Sequence, residues 1–538
     1  MSLRRNRVPA ITFLACSALL APQLAGQAPK PIPSLVRSGE RYQLLVDGKP
    51  FLILGGQAHN SSATNPQDLE PVWKSLTAIH ANTAEVPIYW ELIEPEPGKF
   101  DFHLIDAIVT GARRSNLRLV LLWFGSWKNG ESHYTPEWVK RDRAKYPRVI
   151  AARGEETAIL SPLSTASREA DARAFAAVMQ HIKSLDEAAR TVIMMQVENE
   201  TGFFGTDRDY SPEATRLFNT AVPGELLSYL DAHRNGLTAS LKAAWAEMNF
   251  RKFGTWAEVF GLLAPEVFSA WHVARYVDGV TAAGKGAYPL PMYVNVWLIN
   301  PGNERAGRWP SGGPTEHVLD IWKAAAAHVD LVGIDVYQPD FEGFCRKYTR
   351  PDNPLFVPEV RFDAHNAANA FLTFAEFNGF GFSPFGIDHA IENGALTADA
   401  AELEDTYGVL ASLLPLIARF QYTDKLHAIV QGEDWAQVVR LGTNLAAVVR
   451  FAKPYAPEGP RGRGMIIELG RDDFVVVGAG FEVTFHELEG PPREPQILSI
   501  DEGTFEGERW VPTRRLNGDE FHVNFPEKAR ILRVRLLR

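Results

Sequence analysis

The sequence has few of the residues that form disulfide bonds in small secreted proteins or that bind metals. Of its 538 residues only two are cysteine, Cys16 and Cys345. No disulfide framework is therefore expected, and stability must come from a buried core. The 14 histidines are scattered, with no HExxH motif or close His/Asp cluster. We expect no metal and no other cofactor.

Other absences narrow the functional classes. The formal net charge of -10 makes nucleic acid an unfavourable partner. No G-x-S-x-G elbow follows a strand, and the pair Gly312-Gly313 does not form a phosphate loop. Beyond the N-terminus, no segment offers eighteen uninterrupted apolar residues, so no transmembrane segment is expected.

The N-terminus resembles an export signal. Arg4, Arg5 and Arg7 precede the short apolar run from Ile11 to Ala21. We predict a signal peptide over residues 1–26, with cleavage between Ala21 and Ala28, and a periplasmic location. Secretion, or lipidation at Cys16, is the lesser alternative.

Eight short runs rich in β-branched or aromatic residues predict strands. They cover residues 51–60, 82–92, 117–127, 191–200, 291–298, 331–337, 354–362 and 379–387.

Between these runs lie stretches with apolar residues at three- and four-residue spacing, which predict helices at residues 66–80, 102–116, 168–185, 224–248, 315–328, 367–379 and 397–420. Alternating strands and helices imply a parallel sheet. The prediction is an α/β fold, a (β/α)8 TIM barrel over residues 27–420 with long insertions after the third and fourth strands. A doubly wound open sheet is the alternative. From about Thr423 onward the helical period disappears, and residues 421–538 predict a C-terminal antiparallel β-sandwich.

Two glutamates are the candidate catalytic residues. Asn199-Glu200 ends the fourth predicted strand, and Glu359 lies in the middle of the apolar seventh strand. In a barrel these strands lie roughly opposite each other, so both acids can face one pocket at its carboxyl end. Either residue alone could be a surface or structural acid. Together they are the pair that glycoside hydrolysis requires.

These motifs resemble those of glycoside hydrolase family 35, the β-galactosidase family. The segment "QVENE" (196–200) is similar to the family's acid/base motif, "IYWELIEPEPGKFDF" (88–102) to its second-strand segment, and "GGQAHN" (55–60) more loosely to its first strand. The resemblance extends over roughly residues 40 to 390. It is greatest to a bacterial branch with one appended β-sandwich, whose members remove galactose from xyloglucan side chains.

The resemblance implies an exo-acting, retaining β-galactosidase with a carbohydrate substrate. Glu200 would be the general acid/base and Glu359 the nucleophile. Asn199 would bind the sugar 2-hydroxyl, and Tyr337 would orient the nucleophile.

The sequence departs from the family at two sugar-binding positions. Gly125-Ser126-Trp127 replaces Ala-Glu-Trp after the third strand, and Pro87 replaces a tyrosine in the second. We therefore expect other strand-end residues to contact the sugar: Ser126, Trp127, His59, Asn60, Trp297 and Phe385.

Two competing hypotheses stay open. The first is another exo-glycosidase of the same clan, acting on a β-arabinoside, β-fucoside or β-glucoside. The second is a non-catalytic carbohydrate-binding protein on a decayed barrel, which the presence of both acids disfavours. The sequence does not determine the oligomeric state.

Overall fold

The structure is a computed structural model that describes residues 30–303, 305–489 and 493–538. The predicted signal peptide, with Cys16, lies outside the described residues. Across those three ranges, no helix has both the length and the apolar character needed to cross a membrane.

A closed parallel barrel forms the larger part of the protein, preceded by a small antiparallel sheet. The small sheet consists of β1 (Ser34–Ser38), β2 (Arg41–Val46) and β3 (Lys49–Pro50). The strands that follow in the chain are β4 (Ile53–Gln57), β5 (Thr83–Tyr89), β6 (Arg118–Phe124), β7 (Arg148–Ile150), β8 (Glu156–Leu160), β9 (Val192–Val197), β10 (Met292–Trp297), β11 (Leu331–Val336), β12 (Val357–Arg361) and β13 (Gly381–Phe385). All except the β7–β8 hairpin close into one barrel in chain order, with β13 pairing with β4. The predicted barrel and its eight strands are confirmed.

The strands of the barrel are buried on both faces, as parallel strands covered by helices must be. Every residue of β4, β5, β9 and β11 is buried. This explains why the sequence shows continuous apolar runs instead of the alternation typical of half-exposed strands.

Fourteen α-helices lie among the described residues, most of them around the barrel. They are α1 (Glu70–Ala78), α2 (Trp90–Ile93), α3 (His103–Arg114), α4 (Glu137–Arg141), α5 (Thr165–Asp186), α6 (Pro212–Phe218), α7 (Gly224–Ala232), α8 (Ala239–Glu247), α9 (Trp256–Phe260), α10 (Ala264–Ala287), α11 (Leu319–Ala325), α12 (Phe341–Tyr348), α13 (Asn369–Phe371) and α14 (Ala398–Phe420).

The largest differences from the sequence prediction lie in two helical regions. The single helix predicted over 224–248 is two helices, α7 and α8, because the segment 233–238 contains Gly236 and leaves the helical path. The 24-residue helix α10 was not predicted, although Pro265 in its first turn is a standard start signal. Fourteen of its residues are buried, distributed around much of the helix, so it shows no clear amphipathic stripe.

After the hairpin β14 (Ile391–Glu392) and β15 (Ala395–Leu396), helix α14 leads into a β-sandwich. Its strands are β16 (Leu426–Val430), β17 (Ala436–Leu441), β18 (Leu445–Phe451), β19 (Arg463–Gly470), β20 (Asp473–Ala479), β21 (Phe481–Glu487), β22 (Gln496–Glu506), β23 (Arg509–Arg515), β24 (Asn524–Phe525) and β25 (Arg530–Leu537). They form a six-stranded sheet (β16-β19-β20-β25-β22-β23) and a four-stranded sheet (β17-β18-β21-β24). Both sheets contribute to a second apolar core, which confirms the predicted C-terminal sandwich.

A buried arginine joins the sandwich to the barrel. Arg463 on β19 reaches α14, where its Nε donates to Thr406 Oγ1 at 2.7 Å. Its Nη2 forms ion pairs of 2.7 Å with Asp405 and with Glu402. Burial raises the pKa of Asp405, whereas a hydrogen bond from the Ala529 N–H and then the charge of Arg463 lower it, so Arg463 is the cation that balances this carboxylate.

We predict that Arg463→Met lowers the apparent stability of the protein. Removing the cation leaves two partly buried carboxylates without a positive partner, which costs about 3 kcal/mol. Chemical denaturation followed by tryptophan fluorescence measures the change. The control is Lys453→Met, which removes an exposed ion pair with Glu527 and should leave the midpoint unchanged. Equal midpoints for the two variants would contradict the structural role of Arg463.

Candidate active site

The chain leaves β9 in a strained turn that carries Glu198, Asn199 and Glu200. Glu198 and Glu200 have φ angles of 62° and 43°, in the left-handed region that side chains other than glycine rarely adopt. Hydrogen bonds hold the turn: Gly130 N–H donates to the Glu200 carbonyl at 2.9 Å, and Glu200 N–H donates to Asn295 Oδ1 at 2.9 Å. The strained turn thus lies at the carboxyl end of a barrel strand, where barrel enzymes carry out their chemistry.

Glu198 supports the turn and does not line the cavity described below. Its Oε2 accepts the Trp127 N–H at 2.8 Å, and its carboxyl group hydrogen bonds with Asp171 of α5. Asp171 also accepts from Trp123 Nε1 at 2.9 Å and from Ser126 Oγ at 2.5 Å. Burial, and then the charge of Asp171, raise the pKa of Glu198 well above its ordinary value. Glu198 is therefore the protonated member of the pair.

Glu359 on β12 is held by two donors. Gln57 Nε2 donates to its Oε2 at 3.0 Å, and the Tyr337 hydroxyl donates to its Oε1 at 2.5 Å. Both bonds stabilise negative charge on the carboxylate and fix its orientation. The contact with Tyr337 is the one that the sequence predicted.

Glu200 faces the same space in a different electrostatic environment. Its pKa is raised to about 7, first by burial and then by the negative charge of Glu359, while Lys128 and a hydrogen bond with Asp335 act in the opposite direction. Near neutral pH, Glu200 can therefore both give and take a proton. Glu359 differs from it in accepting hydrogen bonds from two neutral side chains, Gln57 and Tyr337.

A cavity of about 320 Å³ lies between these groups, within the size range of small-molecule sites. Its walls are Asn60, Lys128, Asn129, Glu200, Trp297, Asn300, Asp335, Tyr337, Gln338, Glu359 and Phe385. Six of the ten residues predicted from sequence therefore lie around one space.

The other four predicted residues lie outside this wall. Ser126 and Trp127 are fully buried; the Ser126 hydroxyl is engaged by Asp171 and by the Tyr276 hydroxyl, 2.7 Å away. His59 packs edge-on against Phe385, with ring centroids 4.8 Å apart. Asn199 is buried, and neither atom of its side-chain amide has a hydrogen-bond partner among the described residues. The donor and the acceptor of that amide are therefore both unused, at a position next to Glu200.

The sequence analysis missed several polar residues of the wall: Lys128, Asn129, Asn300, Asp335 and Gln338. Asp335 carries the same signal as Glu359, an acid inside an apolar strand run. Lys128 and Asn129 directly follow Trp127 at the third strand end. Asn300 and Gln338 have no comparable signal, because both lie in loops.

No group of three or more His, Cys, Asp or Glu side chains in the described ranges has an arrangement that could hold a metal ion.

We predict that Glu198→Gln preserves the turn and that Glu198→Ala disrupts it. Glutamine can donate to Asp171 and accept from Trp127, whereas alanine leaves both groups unpaired and a void behind, at a cost of about 2–4 kcal/mol. Denaturation midpoints at pH 5 and pH 8 measure the effect. Because the pKa of Glu198 is raised in the folded state, its contribution to stability falls as the pH rises above the ordinary value of 4.5. The glutamine variant should therefore gain stability relative to the wild type at pH 8. Equal losses for both variants would rule out the proton-sharing pair.

Two family models match parts of this chain. A family model described as glycosyl hydrolases family 35 matches residues 43–255. Residues 403–525 match a model described as a domain of unknown function (DUF5597), which covers part of α14 and most of the sandwich.

Two curated relatives are both named as β-galactosidases or similar to them. The "Beta-galactosidase" of Xanthomonas manihotis is 26% identical over 220 residues, which is 40% of this chain and 34% of the relative. "Beta-galactosidase-1-like protein 3" of Homo sapiens is 29% identical over 213 residues, 38% of this chain and 30% of the relative. The chain thus matches about a third of the length of these relatives.

Among solved structures, the β-galactosidase of Bacillus circulans sp. alkalophilus is similar at 15% identity and a TM-score of 0.45, over 67% of this chain and 56% of that one. The resemblance found in the sequence is confirmed: residues 43–255 match the model of glycosyl hydrolases family 35, and both curated relatives are named for β-galactosidase.

Proposed function

We propose that this protein is an exported, exo-acting, retaining β-galactosidase that removes terminal β-galactose from oligosaccharides or polysaccharide side chains, with xyloglucan as the natural polymer. The observation that carries the proposal is the pair of buried carboxyl groups, Glu200 after β9 and Glu359 on β12, on the wall of one cavity. The names of the curated relatives support galactose as the sugar.

The two acids divide the reaction between them. Glu200 gives its proton to the glycosidic oxygen while Glu359 attacks the anomeric carbon, so that the leaving group departs and a glycosyl-enzyme ester forms. Glu200, now a carboxylate, takes a proton from water, which attacks the anomeric carbon and releases the sugar and Glu359. The pKa of about 7 at Glu200 suits a group that must alternate between these forms.

The retaining course is supported by the fixed orientation of Glu359. A nucleophile has to approach the anomeric carbon along a defined line, and a carboxylate held by Gln57 and Tyr337 has that direction set before substrate binds. Asn199, whose amide is unpaired, is proposed to bind the sugar 2-hydroxyl.

The exo mode is supported by the size of the cavity, which is at the lower end of the range for ligand sites and suits one terminal sugar. Trp297 and Phe385 are aromatic wall residues. Galactose has one apolar ring face, and stacking on an aromatic ring contributes about 1 kcal/mol. The long segments after β6 and β9, which are rich in aromatic residues, are proposed to contact the rest of a branched substrate.

Export is supported by the basic and apolar segments of the N-terminus. A periplasmic or extracellular enzyme would meet polysaccharide fragments directly.

A panel of substrates tests the proposed activity. Aryl β-galactoside should be cleaved at least about tenfold better than aryl β-glucoside, β-fucoside or β-arabinoside, a difference of about 1.4 kcal/mol in the transition state. A galactosylated xyloglucan oligosaccharide should have a higher kcat/KM than lactose. Glu359→Gln, which keeps the shape of the side chain, is the inactive control.

The panel can also contradict the proposal. A stronger preference for another sugar would identify a different exo-glycosidase. Absence of turnover with binding retained would identify a carbohydrate-binding protein.

Azide rescue tests the roles of the two acids. Glu359→Gly should lose at least about 1000-fold in rate, about 4 kcal/mol, and azide should restore turnover as α-galactosyl azide. Glu200→Ala should still react with activated aryl galactosides, and azide should give β-galactosyl azide by attacking the glycosyl-enzyme. The product configuration is read by proton NMR. Exchange of the two products between the variants would reverse the assignment.

A further inference from the structure

A third carboxyl group, Asp335, lies on the wall of the cavity and has no role in the reaction described above. Asp335 lies on β11, where it pairs in register with Glu359 on β12 and with Trp297 on β10. Asp335 is 1% exposed. The side chain is therefore placed by the barrel itself and not by a mobile loop.

Asn295 on β10 connects Asp335 to Glu200. Its Nδ2 donates to Asp335 Oδ2 at 2.7 Å, and its Oδ1 accepts the Glu200 N–H at 2.9 Å. The orientation of one amide thus fixes the acid-bearing turn and one oxygen of Asp335 together.

The other oxygen of Asp335 needs a proton nearby. Asp335 Oδ1 is buried, and within the described residues it receives no N–H or O–H unless a carboxyl group is protonated. The carboxyl group of Glu200 lies within hydrogen-bonding reach. A buried acceptor is costly to leave unpaired, so a proton between the two acids is the arrangement that satisfies both.

The surrounding charges decide which acid keeps that proton. Asp335 faces Glu200 from the turn after β9, Glu359 from β12 and Lys128 from the loop after β6. The hydroxyls of Tyr293 and Tyr337 and, from α12, of Tyr348 also interact with it. Burial, and then the charges of Glu359 and Glu200, raise the pKa of Asp335 well above its ordinary value. The hydrogen bond from Asp335 lowers the pKa of Glu200.

We propose that Asp335 is a positioning residue for Glu200: it stays protonated and donates a hydrogen bond to the carboxylate that forms when Glu200 gives up its proton. Asp335 keeps its own proton throughout. The proton that Glu200 loses goes to the glycosidic oxygen, and the one that it regains comes from water. This inference rests on the proposed function and adds a third carboxyl group to the two-acid mechanism.

Two variants separate a hydrogen-bond donor from a negative charge. Asp335→Asn keeps a donor for Glu200 and an acceptor for Asn295, whereas Asp335→Leu removes both at similar volume. The measurement is the pH dependence of kcat/KM with an aryl galactoside that has a poor leaving group. In the wild type, activity should fall as the pH rises through about 7, because the acid step needs protonated Glu200.

The pH at which activity falls on the basic side of the profile (the basic limb) should be unchanged for Asp335→Asn. It should rise by about one pH unit for Asp335→Leu, because the carboxylate of Glu200 then has no donor and its pKa is higher. A downward shift for Asp335→Asn would mean that Asp335 is a negative charge in the wild type. An unchanged basic limb for both variants would mean that Asp335 has only a structural role. Either result overturns the proposal.

An infrared measurement tests the protonation without relying on turnover or on the leucine variant. The difference spectrum of wild type minus Asp335→Asn at pH 8 should contain the carbonyl band of a neutral carboxylic acid. A carboxylate band in its place would overturn the proposal. If the wild type cleaves no glycoside, the proposed function fails, and the infrared result still decides whether Asp335 holds the proton.

Discussion

Burial of several carboxyl groups side by side is the constraint on which this site depends. Removing an ionised carboxylate from water costs several kcal/mol, and a second negative charge nearby adds to that cost. The structure lowers this cost by placing four of the carboxyl groups in two pairs. Glu198 and Asp171 share a proton beneath the turn, and a hydrogen bond joins Glu200 and Asp335 at the cavity. Glu359 has two donors and can bear the charge that the chemistry needs.

The barrel makes this arrangement rigid. Parallel strands in register bring Asp335 next to Glu359, and the strained turn after β9 directs Glu198 and Glu200 to different partners although only Asn199 separates them. The energy stored in two left-handed residues is offset by buried hydrogen bonds to Asn295, Trp127 and Gly130. The left-handed turn after β9 is therefore the cause both of the backbone strain and of the different positions of Glu198 and Glu200.

Much of the architecture could be predicted because its signals are local. Each barrel strand is an apolar run ended by polar residues, and Glu200 and Glu359 stand out as acids in such runs. Helix α10 was missed because it is buried over much of its circumference and lacks an amphipathic stripe. Ser126 was expected at the sugar because of its position after a strand, but its hydroxyl bonds to Asp171, a partner 45 residues away in the chain.

The sequence by itself therefore determined the barrel, the sandwich and the identity of the two opposed acids, since periodicity and strand-end position are properties of neighbouring residues. Only the tertiary structure decided which carboxyl groups lie within reach of each other. The tertiary structure places Glu198 where it supports the turn, and it places Glu200, Asp335 and Lys128 on the wall of the cavity. The physical reason is that the charge on a buried acid depends on distances through space, which strand register, α5 and the turn after β9 establish together.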